Sequence, residues 1–185
     1  MTQFLFVMTL AAGAATVFGA DAPEASMGKV LDGQIRSAER EIVGLAEAMP
    51  AEKYDFRPTA GEFKNVRTFS QQMTHIAATL YGISAGALGE KNPSEMGQNE
   101  NGPASIDGKA AAVKYLKDAF AYAHKAALAV TTANAMDMMQ SPFGNSKSPR
   151  IDLVTTLTFH SFDHYGQAVV YARMNGIVPP ASRGQ

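Results

Sequence analysis

Residues 148–180 read SPRIDLVTTLTFHSFDHYGQAVVYARMNGIVPP and carry the clearest helix signals of the chain. Ser148 is a residue type favoured at the N-cap, and Pro149 suits the first helical position. Gly176 and the two prolines shortly after it mark the end of the segment. The residues that recur at helical spacing between these ends are Leu153, Leu157, His160, His164, Gln167 and Tyr171. The segment is therefore predicted to be one long helix whose inward face carries two histidines.

Three further segments repeat apolar residues every three or four positions, as an amphipathic helix does. Members of these stripes are Leu31, Ile35, Ile42 and Leu45, then Met73, Ile76, Leu80 and Ile83, then Val113, Leu116, Phe120 and Val130. Thr68 and Gln71 form a capping-box pattern at the start of the second segment, which is predicted to span about 68–88. Ser105 or Asp107 is the predicted N-cap of the third. No segment alternates apolar and polar residues as a half-buried strand would.

The connections between these segments, residues 50–67, 89–103 and 134–147, are long. Helix connections in simple bundles usually take about two to eight residues. Connections of greater length either cross a bundle or build the mouth of a site. We therefore predict an all-α fold, a four-helix bundle with long crossover connections.

The composition fits one globular domain and excludes several classes of function. The 185 residues are 46% apolar and 18% charged, with a formal net charge of −1 at pH 7. This near-neutral balance predicts no binding to nucleic acid. The chain has no cysteine, which excludes thiolate metal sites, disulfides and cysteine nucleophiles. A transition-metal site would have to use the four histidines, carboxylates and water.

The first residues of the chain form an apolar run over 4–18, with no charge before Asp21. Such a run is typical of a secretory signal peptide and is short for a membrane span, which takes about 20 apolar residues. We therefore predict a signal peptide over residues 1–21 and a single domain over residues 22–185. The domain would be exported to the periplasm or the extracellular space, without stable membrane insertion after cleavage. The alternative is a misassigned start of the chain.

The strongest chemical signal is the pair His160 and His164, because residues four apart project from the same helix face. One metal ion can accept both imidazoles, and a third nitrogen with an open position would make a catalytic type of zinc site. His75 lies beside Ile76 on the apolar stripe of the second helix and is the predicted third ligand. The alternative for His75 is a buried histidine with a purely structural role. The alternative for His160 and His164 is a pair of solvent-exposed histidines.

Other features of the chain exclude functions or carry less weight. His124 adjoins Lys125 in an alanine-rich helix and is predicted to be a solvated surface histidine. Ser161 stands where a zincin protease needs its glutamate general base, so that class is excluded. The sequence has no glycine-rich phosphate loop and no serine-hydrolase elbow, so nucleotide binding and serine hydrolysis have no support.

Four short motifs follow one another between residues 27 and 182. They are Tyr54-Asp55-Phe56-Arg57-Pro58, Thr68-Phe69-Ser70 before His75, His160-x-x-x-His164-Tyr165-Gly166-Gln167, and Met174-Asn175-Gly176-Ile177-Val178-Pro179-Pro180. Their order and spacing resemble the DinB-like (YfiT-like) family of metal-dependent proteins. The resemblance implies a four-helix bundle with a long crossover, a three-histidine site for zinc or nickel, and frequent dimerisation. It also implies that many members lack a known reaction, while some relatives transfer thiols or use a thiol cofactor.

These features predict an exported metalloenzyme in which His75, His160 and His164 hold zinc or nickel and act on an unidentified small molecule. A hydrolytic or a thiol-transfer type of reaction would suit such a centre. The candidates for contacts with the substrate or the metal ligands are Arg57, Tyr165 and Gln167. The alternative function is a noncatalytic metal- or small-ligand-binding module of the same fold. In a third hypothesis, the metal only joins the second helix to the fourth.

Overall fold

The computed structural model describes residues 25–184, so the predicted signal peptide over residues 1–21 lies outside the described residues. Four long helices form the body of the protein. They are α1 (Met27–Ala48), α2 (Phe69–Leu88), α3 (Gly108–Leu128) and α4 (Arg150–Met174). Short 3-10 turns cover Ala51–Lys53, Gln98–Glu100 and Pro180–Ser182. Among the described residues, no helix is both long enough and apolar enough to cross a membrane.

The four helices pack in an order that differs from their order along the chain. α1 packs mainly against α3 and α4, and α2 packs against the same two helices. α1 and α2 therefore occupy one diagonal of the bundle, while α3 and α4 occupy the other. The connections over residues 49–68 and 129–149 each join helices on a diagonal. The prediction of a mostly helical fold with four helices is confirmed.

The most buried part of the protein is the middle of α2, where every residue from 72 to 80 is buried. α3 and α4 pack along this helix, and the connection between α2 and α3 also covers it. The buried stretch includes the polar side chains of Gln72, His75 and Thr79. Buried polar groups need hydrogen-bond partners, so these three side chains are expected to make specific internal contacts.

α2 begins at the predicted capping box. The Thr68 hydroxyl accepts a hydrogen bond from the backbone N–H of Gln71, at 3.2 Å, and the Gln71 side chain accepts one from the N–H of Thr68, at 2.9 Å. The N–H of Phe69 donates to the carbonyl of Phe56, at 2.9 Å. These bonds satisfy N–H groups of the first turn that have no partner within the helix. The first turn is therefore fixed two turns before His75.

The start of α4 differs from the prediction. The connection before it contains an antiparallel hairpin of two short strands, β1 (Met138–Gln140) and β2 (Lys147–Pro149). Ser148 pairs with Met139 in this hairpin, so it is not the N-cap, and the helix begins one residue after Pro149. The predicted N-cap and first helical residue are therefore wrong, because both residues complete the strand. The end of the helix, at Met174 before Asn175, agrees with the prediction.

Candidate metal centre

The three predicted histidine ligands lie together between α2 and α4. His75 projects from the middle of α2, and His160 and His164 lie one turn apart on α4. The ring centroids are separated by 4.4, 4.7 and 5.2 Å. The candidate ligand nitrogens, one from each ring, all lie within 4.8 Å of one another. These nitrogens are close enough for the three residues to hold one metal ion.

His75 is held by the connection between α2 and α3. Its Nδ1 lies 2.9 Å from the carbonyl oxygen of Glu100, and a carbonyl only accepts, so Nδ1 carries the proton and donates. Glu100 and Asn99 have positive φ angles of 58° and 52°. This left-handed conformation costs non-glycine residues about 1–2 kcal/mol each. Strained backbone therefore aims a carbonyl group at the histidine ring.

His164 is held by a buried amide on α2. Its Nδ1 lies 2.8 Å from Oε1 of Gln72, and Gln72 is only 1% exposed. The Nε2 of Gln72 donates to Oε1 of Gln167, at 3.0 Å. Because the amide nitrogen of Gln72 is used in this way, its oxygen faces His164 and accepts from Nδ1. A chain of two amides therefore fixes the orientation of the His164 ring.

His160 has the longest of the three contacts. Its Nδ1 lies 3.4 Å from the hydroxyl oxygen of Thr79. The single hydrogen of that hydroxyl is shared between the backbone carbonyls of His75 and Ile76, at 2.9 and 3.0 Å, so its oxygen is left to accept from His160. Each of the three Nδ1 atoms therefore faces an acceptor, which leaves the three Nε2 atoms for an ion. Metal-bound histidines in proteins commonly have such an acceptor at the second nitrogen.

Burial keeps the three imidazoles uncharged at neutral pH. It lowers the pKa of His75 from 6.5 to about 4 and the pKa of His164 to about 3. Burial also lowers the pKa of His160. The positive charge of Arg67 acts in the same direction on the pKa of each ring. Neutral imidazole is the form that binds a metal, so protons compete weakly for these nitrogens at pH 7.

The donor set fits a divalent transition metal. Imidazole nitrogens suit zinc and nickel, among other ions. Within residues 25–184, no aspartate or glutamate joins the histidine group as a further ligand. Three protein ligands leave coordination positions for water or substrate, as in catalytic zinc sites, whereas structural sites are closed by four. The histidine group could therefore hold a divalent metal ion and leave positions open for other ligands.

A polar cleft of about 650 Å³ opens beside the histidine group. Its lining residues are Arg57, Asn65, Val66, Arg67, Gln71, Gln72, Asn99, Asn101 and Gln167. Gln72 joins the cleft to the centre, because the same amide contacts His164. Arg57 and Gln167, two of the residues predicted to contact substrate or ligands, both line the cleft. Gln167 is linked to the centre through its hydrogen bond with Gln72.

Tyr165, the third residue predicted to contact substrate or ligands, lies on a different side of α4. It is absent from the lining of the cleft. Its ring packs edge-on against Phe162, with 6.0 Å between the centroids. Burial raises the pKa of Tyr165, and the negative charge of Glu41 on α1 raises it further. The structure therefore places Tyr165 toward α1 and away from the histidine group.

His124 connects α3 to α1 and is not a solvated surface residue. Its Nδ1 lies 2.6 Å from a carboxylate oxygen of Asp32, and its Nε2 lies 3.1 Å from a carboxylate oxygen of Glu39. Asp32 is only 5% exposed, and a buried carboxylate needs such a partner. The prediction of a solvated histidine is therefore wrong, although His124 does lie outside the histidine group.

Sequence reasoning missed the groups that orient the three rings. Gln72 precedes His75 by three residues and Thr79 follows it by four, so both share its helix face. Helical spacing around a candidate ligand is a signal that could have found these two side chains. The carbonyl of Glu100 leaves no such signal, because every residue type has a carbonyl group.

Replacing Gln72 by leucine is expected to weaken zinc binding about 10- to 100-fold, the usual cost of removing a group that orients a metal ligand. Leucine fills similar space but offers no acceptor to His164. Competition with a chromogenic chelator would measure the affinity. Gln167→Leu is the matched comparison, because it removes only the outer amide and should cost less. If Gln72→Leu bound zinc as tightly as the wild type, Gln72 would not orient His164 for metal binding.

Comparison with known proteins agrees with the helical fold. The chain resembles the crystal structure of a DinB-like protein from Bacillus cereus ATCC 10987, with a TM-score of 0.57 and 18% sequence identity. The similarity covers 80% of this chain and 95% of that one, and at this identity it shows the fold alone. No match is found among curated proteins. The sequence profile of the DinB superfamily matches residues 34–168, well over half of the sequence, and the chain therefore belongs to this superfamily.

Proposed function

We propose that this protein is an exported metal-dependent enzyme in which His75, His160 and His164 hold one zinc or nickel ion. One observation carries the proposal. Each Nδ1 has an acceptor, but none of the three Nε2 atoms has a hydrogen-bond partner within residues 25–184. None of these Nε2 atoms is among the fully buried side-chain atoms that lack a partner, so an external ligand can reach them. Three nitrogens left together in this way favour a shared ion.

A zinc or nickel ion bound here would supply Lewis acidity, which lowers the pKa of a bound water or polarises a substrate carbonyl. The protein residues would hold the rings in place through Gln72, Thr79 and the Glu100 carbonyl. The polar cleft would bind the substrate beside the rings, with Arg57 and Gln167 in its lining. A hydrolytic or a thiol-transfer reaction suits this arrangement.

A noncatalytic metal- or small-ligand-binding module is the second candidate, and one observation favours it. Within the described part of the chain, no carboxylate forms a hydrogen bond with any of the three rings. The negative charges of Asp163 and Glu100 act on His160 only through space. No general base is therefore placed at the rings. A binding protein would be stabilised by its ligand without forming product.

Export and self-association belong to the same proposal. The apolar run over residues 4–18 supports a cleaved signal peptide, which N-terminal sequencing of the secreted protein would test. Phe159 and Val170 lie on one outer face of α4 and are 62% and 51% exposed. Their exposure supports a homodimer that buries this face, and sedimentation equilibrium would measure the oligomeric state.

Elemental analysis of protein purified without a His tag or chelator tests the metal proposal. We expect about one zinc or nickel per chain in the wild type and none in the His160→Ala/His164→Ala double variant. The matched control is His124→Ala, which removes the histidine outside the group and should keep the metal. Absence of metal from the wild type, even after incubation with zinc and nickel salts, would refute the proposal.

Activity and melting measurements on the wild type and the histidine variants distinguish the candidate functions. An enzyme should show turnover that disappears with the metal and returns when the metal is restored. A binding module should show no product from hydrolytic or thiol-transfer substrates, while a ligand still raises its melting temperature. If the metal served only to join α2 to α4, the His160→Ala variant should have a much lower melting temperature than the wild type. An unchanged melting curve would exclude this third hypothesis.

A further inference from the structure

The cleft beside the histidine group presents hydrogen-bond donors to a ligand. Two of its lining side chains, Arg57 and Arg67, are cationic. Its described lining includes no aspartate and no glutamate, and its other polar residues are asparagines and glutamines. Guanidinium groups can donate but cannot accept. A ligand that suits this lining must therefore offer several acceptors.

Arg67 is fixed in place by the connection between α2 and α3. Its Nε donates to Oδ1 of Asn101 and its Nη2 donates to the carbonyl of Asn99, both at 2.8 Å. Its Nη1 has no hydrogen-bond partner within residues 25–184. The Asn99 carbonyl that Arg67 contacts belongs to the residue next to Glu100, and the Glu100 carbonyl contacts His75. The positive charge of Arg67 also lowers the pKa of all three histidines. Arg67 therefore holds an oriented, unused donor near the centre.

Two amides in the cleft are also oriented to donate. Oδ1 of Asn101 accepts from Arg67, and Oε1 of Gln71 accepts from the backbone N–H of Thr68. Both partners can only donate, so they fix the direction of each amide oxygen. The nitrogens, Nδ2 of Asn101 and Nε2 of Gln71, have no partner among the described residues. These two NH2 groups remain for a ligand.

Arg57 adds a second positive charge to the cleft. Its side chain is exposed and forms no ion pair within residues 25–184. The charge of Glu100 acts on Arg67, but Glu100 is not part of the cleft lining. The lining therefore combines two guanidinium groups with two free amide donors. Anionic oxygens form stronger hydrogen bonds with such donors than neutral acceptors do.

We propose that this cleft binds an oxyanion group of the substrate, a carboxylate or a phosphate, beside the three histidines. The inference rests on the proposed function, because it assigns the cleft to the same substrate that the metal would contact. Arg67, Asn101 and Gln71 hold the oxyanion by hydrogen bonds, and Arg57 contributes charge and further donors. The oxyanion is bound and not transformed, so these four are positioning residues.

The test is isothermal titration calorimetry of the metal-free protein with succinate and with inorganic phosphate, at low ionic strength. Metal-free protein is used so that the probes cannot bind to an ion, and circular dichroism checks its fold. Succinamide is the control ligand, since it replaces both carboxylates by neutral amides. We expect succinate, phosphate or both to bind, and succinamide to bind at least tenfold more weakly. The stronger of the two anions identifies the oxyanion group.

Variants of the two arginines connect the binding to this cleft. Arg57→Gln and Arg67→Lys are each expected to weaken the binding of the anion about tenfold, as is typical for the loss of a hydrogen bond to a charged group. Arg40→Gln is the matched control, because Arg40 is exposed on α1 and lies outside the cleft. It should leave the affinity unchanged. Equal weakening by Arg40→Gln and Arg57→Gln would indicate general charge attraction and overturn the proposal, as would equal binding of succinate and succinamide.

Failure of this inference is distinguishable from failure of the metal proposal. Protein that contains one zinc or nickel per chain but binds neither anion would overturn the oxyanion site alone. Protein that binds an anion through Arg57 and Arg67 but contains no metal would overturn the metal centre alone. The two measurements use different variants, so neither result depends on the other.

Discussion

Replacement of His75 by alanine is expected to weaken zinc or nickel binding at least about 100-fold. Structural zinc sites with four protein ligands gain about 10–16 kcal/mol on binding, or roughly 3 kcal/mol for each ligand. A loss of that size corresponds to about 10²- to 10³-fold in affinity, since every 1.4 kcal/mol is tenfold. The remaining pair on α4 would form a weak site. Competition with a chelator of known affinity would measure the change.

The control for this prediction must separate lost ligation from lost folding. His75 is 2% exposed, so alanine also leaves space in the middle of α2. His75→Gln keeps a polar side chain of similar length and should lose the metal to the same extent with less damage to the core. His124→Ala should keep wild-type metal affinity. If His75→Gln retained wild-type affinity while folded, His75 would not be a ligand.

Gly97→Ala should damage both the stability of the protein and its metal binding. Gly97 has a φ angle of 68°, and a Cβ at this position would lie 1.8 Å from the carbonyl oxygen of Gly102. Both residues belong to the connection that carries Glu100, so the backbone must shift to admit a methyl group. Residues held in strained backbone conformations cost about 1–3 kcal/mol, and this clash adds to that cost. Displacing the acceptor of His75 should weaken metal binding about 10- to 100-fold.

Gly144→Ala is the matched control for the backbone conformation. Gly144 has a φ angle of 72°, but a Cβ there meets no atom within 4 Å. It should lose only the stability that left-handed backbone costs, about 1–2 kcal/mol, and keep its metal affinity. Urea unfolding and chelator competition on both variants would measure the two effects. The interpretation fails if Gly97→Ala binds metal as tightly as Gly144→Ala.

Helical periodicity was sufficient to predict the four helices and the inward position of the three histidines. Each of these predictions depends only on the spacing of residues within one segment. His160 and His164 lie four apart on the inward stripe of the last helix, and His75 directly precedes Ile76 of the apolar stripe of the second helix, so all three could be assigned to the interior. The structure brings together side chains that are 85 residues apart in sequence, His75 and His160. This contact requires α2 to pack against α4. That packing was expected from the bundle architecture and not from any local sequence signal.

The start of α4 and the partner of His124 could not be predicted in the same way. Ser148 and Pro149 have the residue types of a helix start, but a hairpin partner more than eight residues earlier in the chain uses them as a strand. Asp32 and Glu39 lie on α1, and their carboxylates meet His124 because α1 packs against α3. In both cases a contact between distant segments overrides a local preference.

The contact between His75 and Glu100 places a functional requirement on a backbone atom. Exchanging the side chain at position 100 leaves the carbonyl in place, so an alanine scan would find little effect there even though the contact orients a ligand. Natural sequences could vary at this position as long as the turn keeps its path. Glycine or asparagine would even suit the positive φ of Glu100 better than glutamate does. The evolutionary constraint would therefore fall on Gly97, a residue outside both the histidine group and the lining of the cleft.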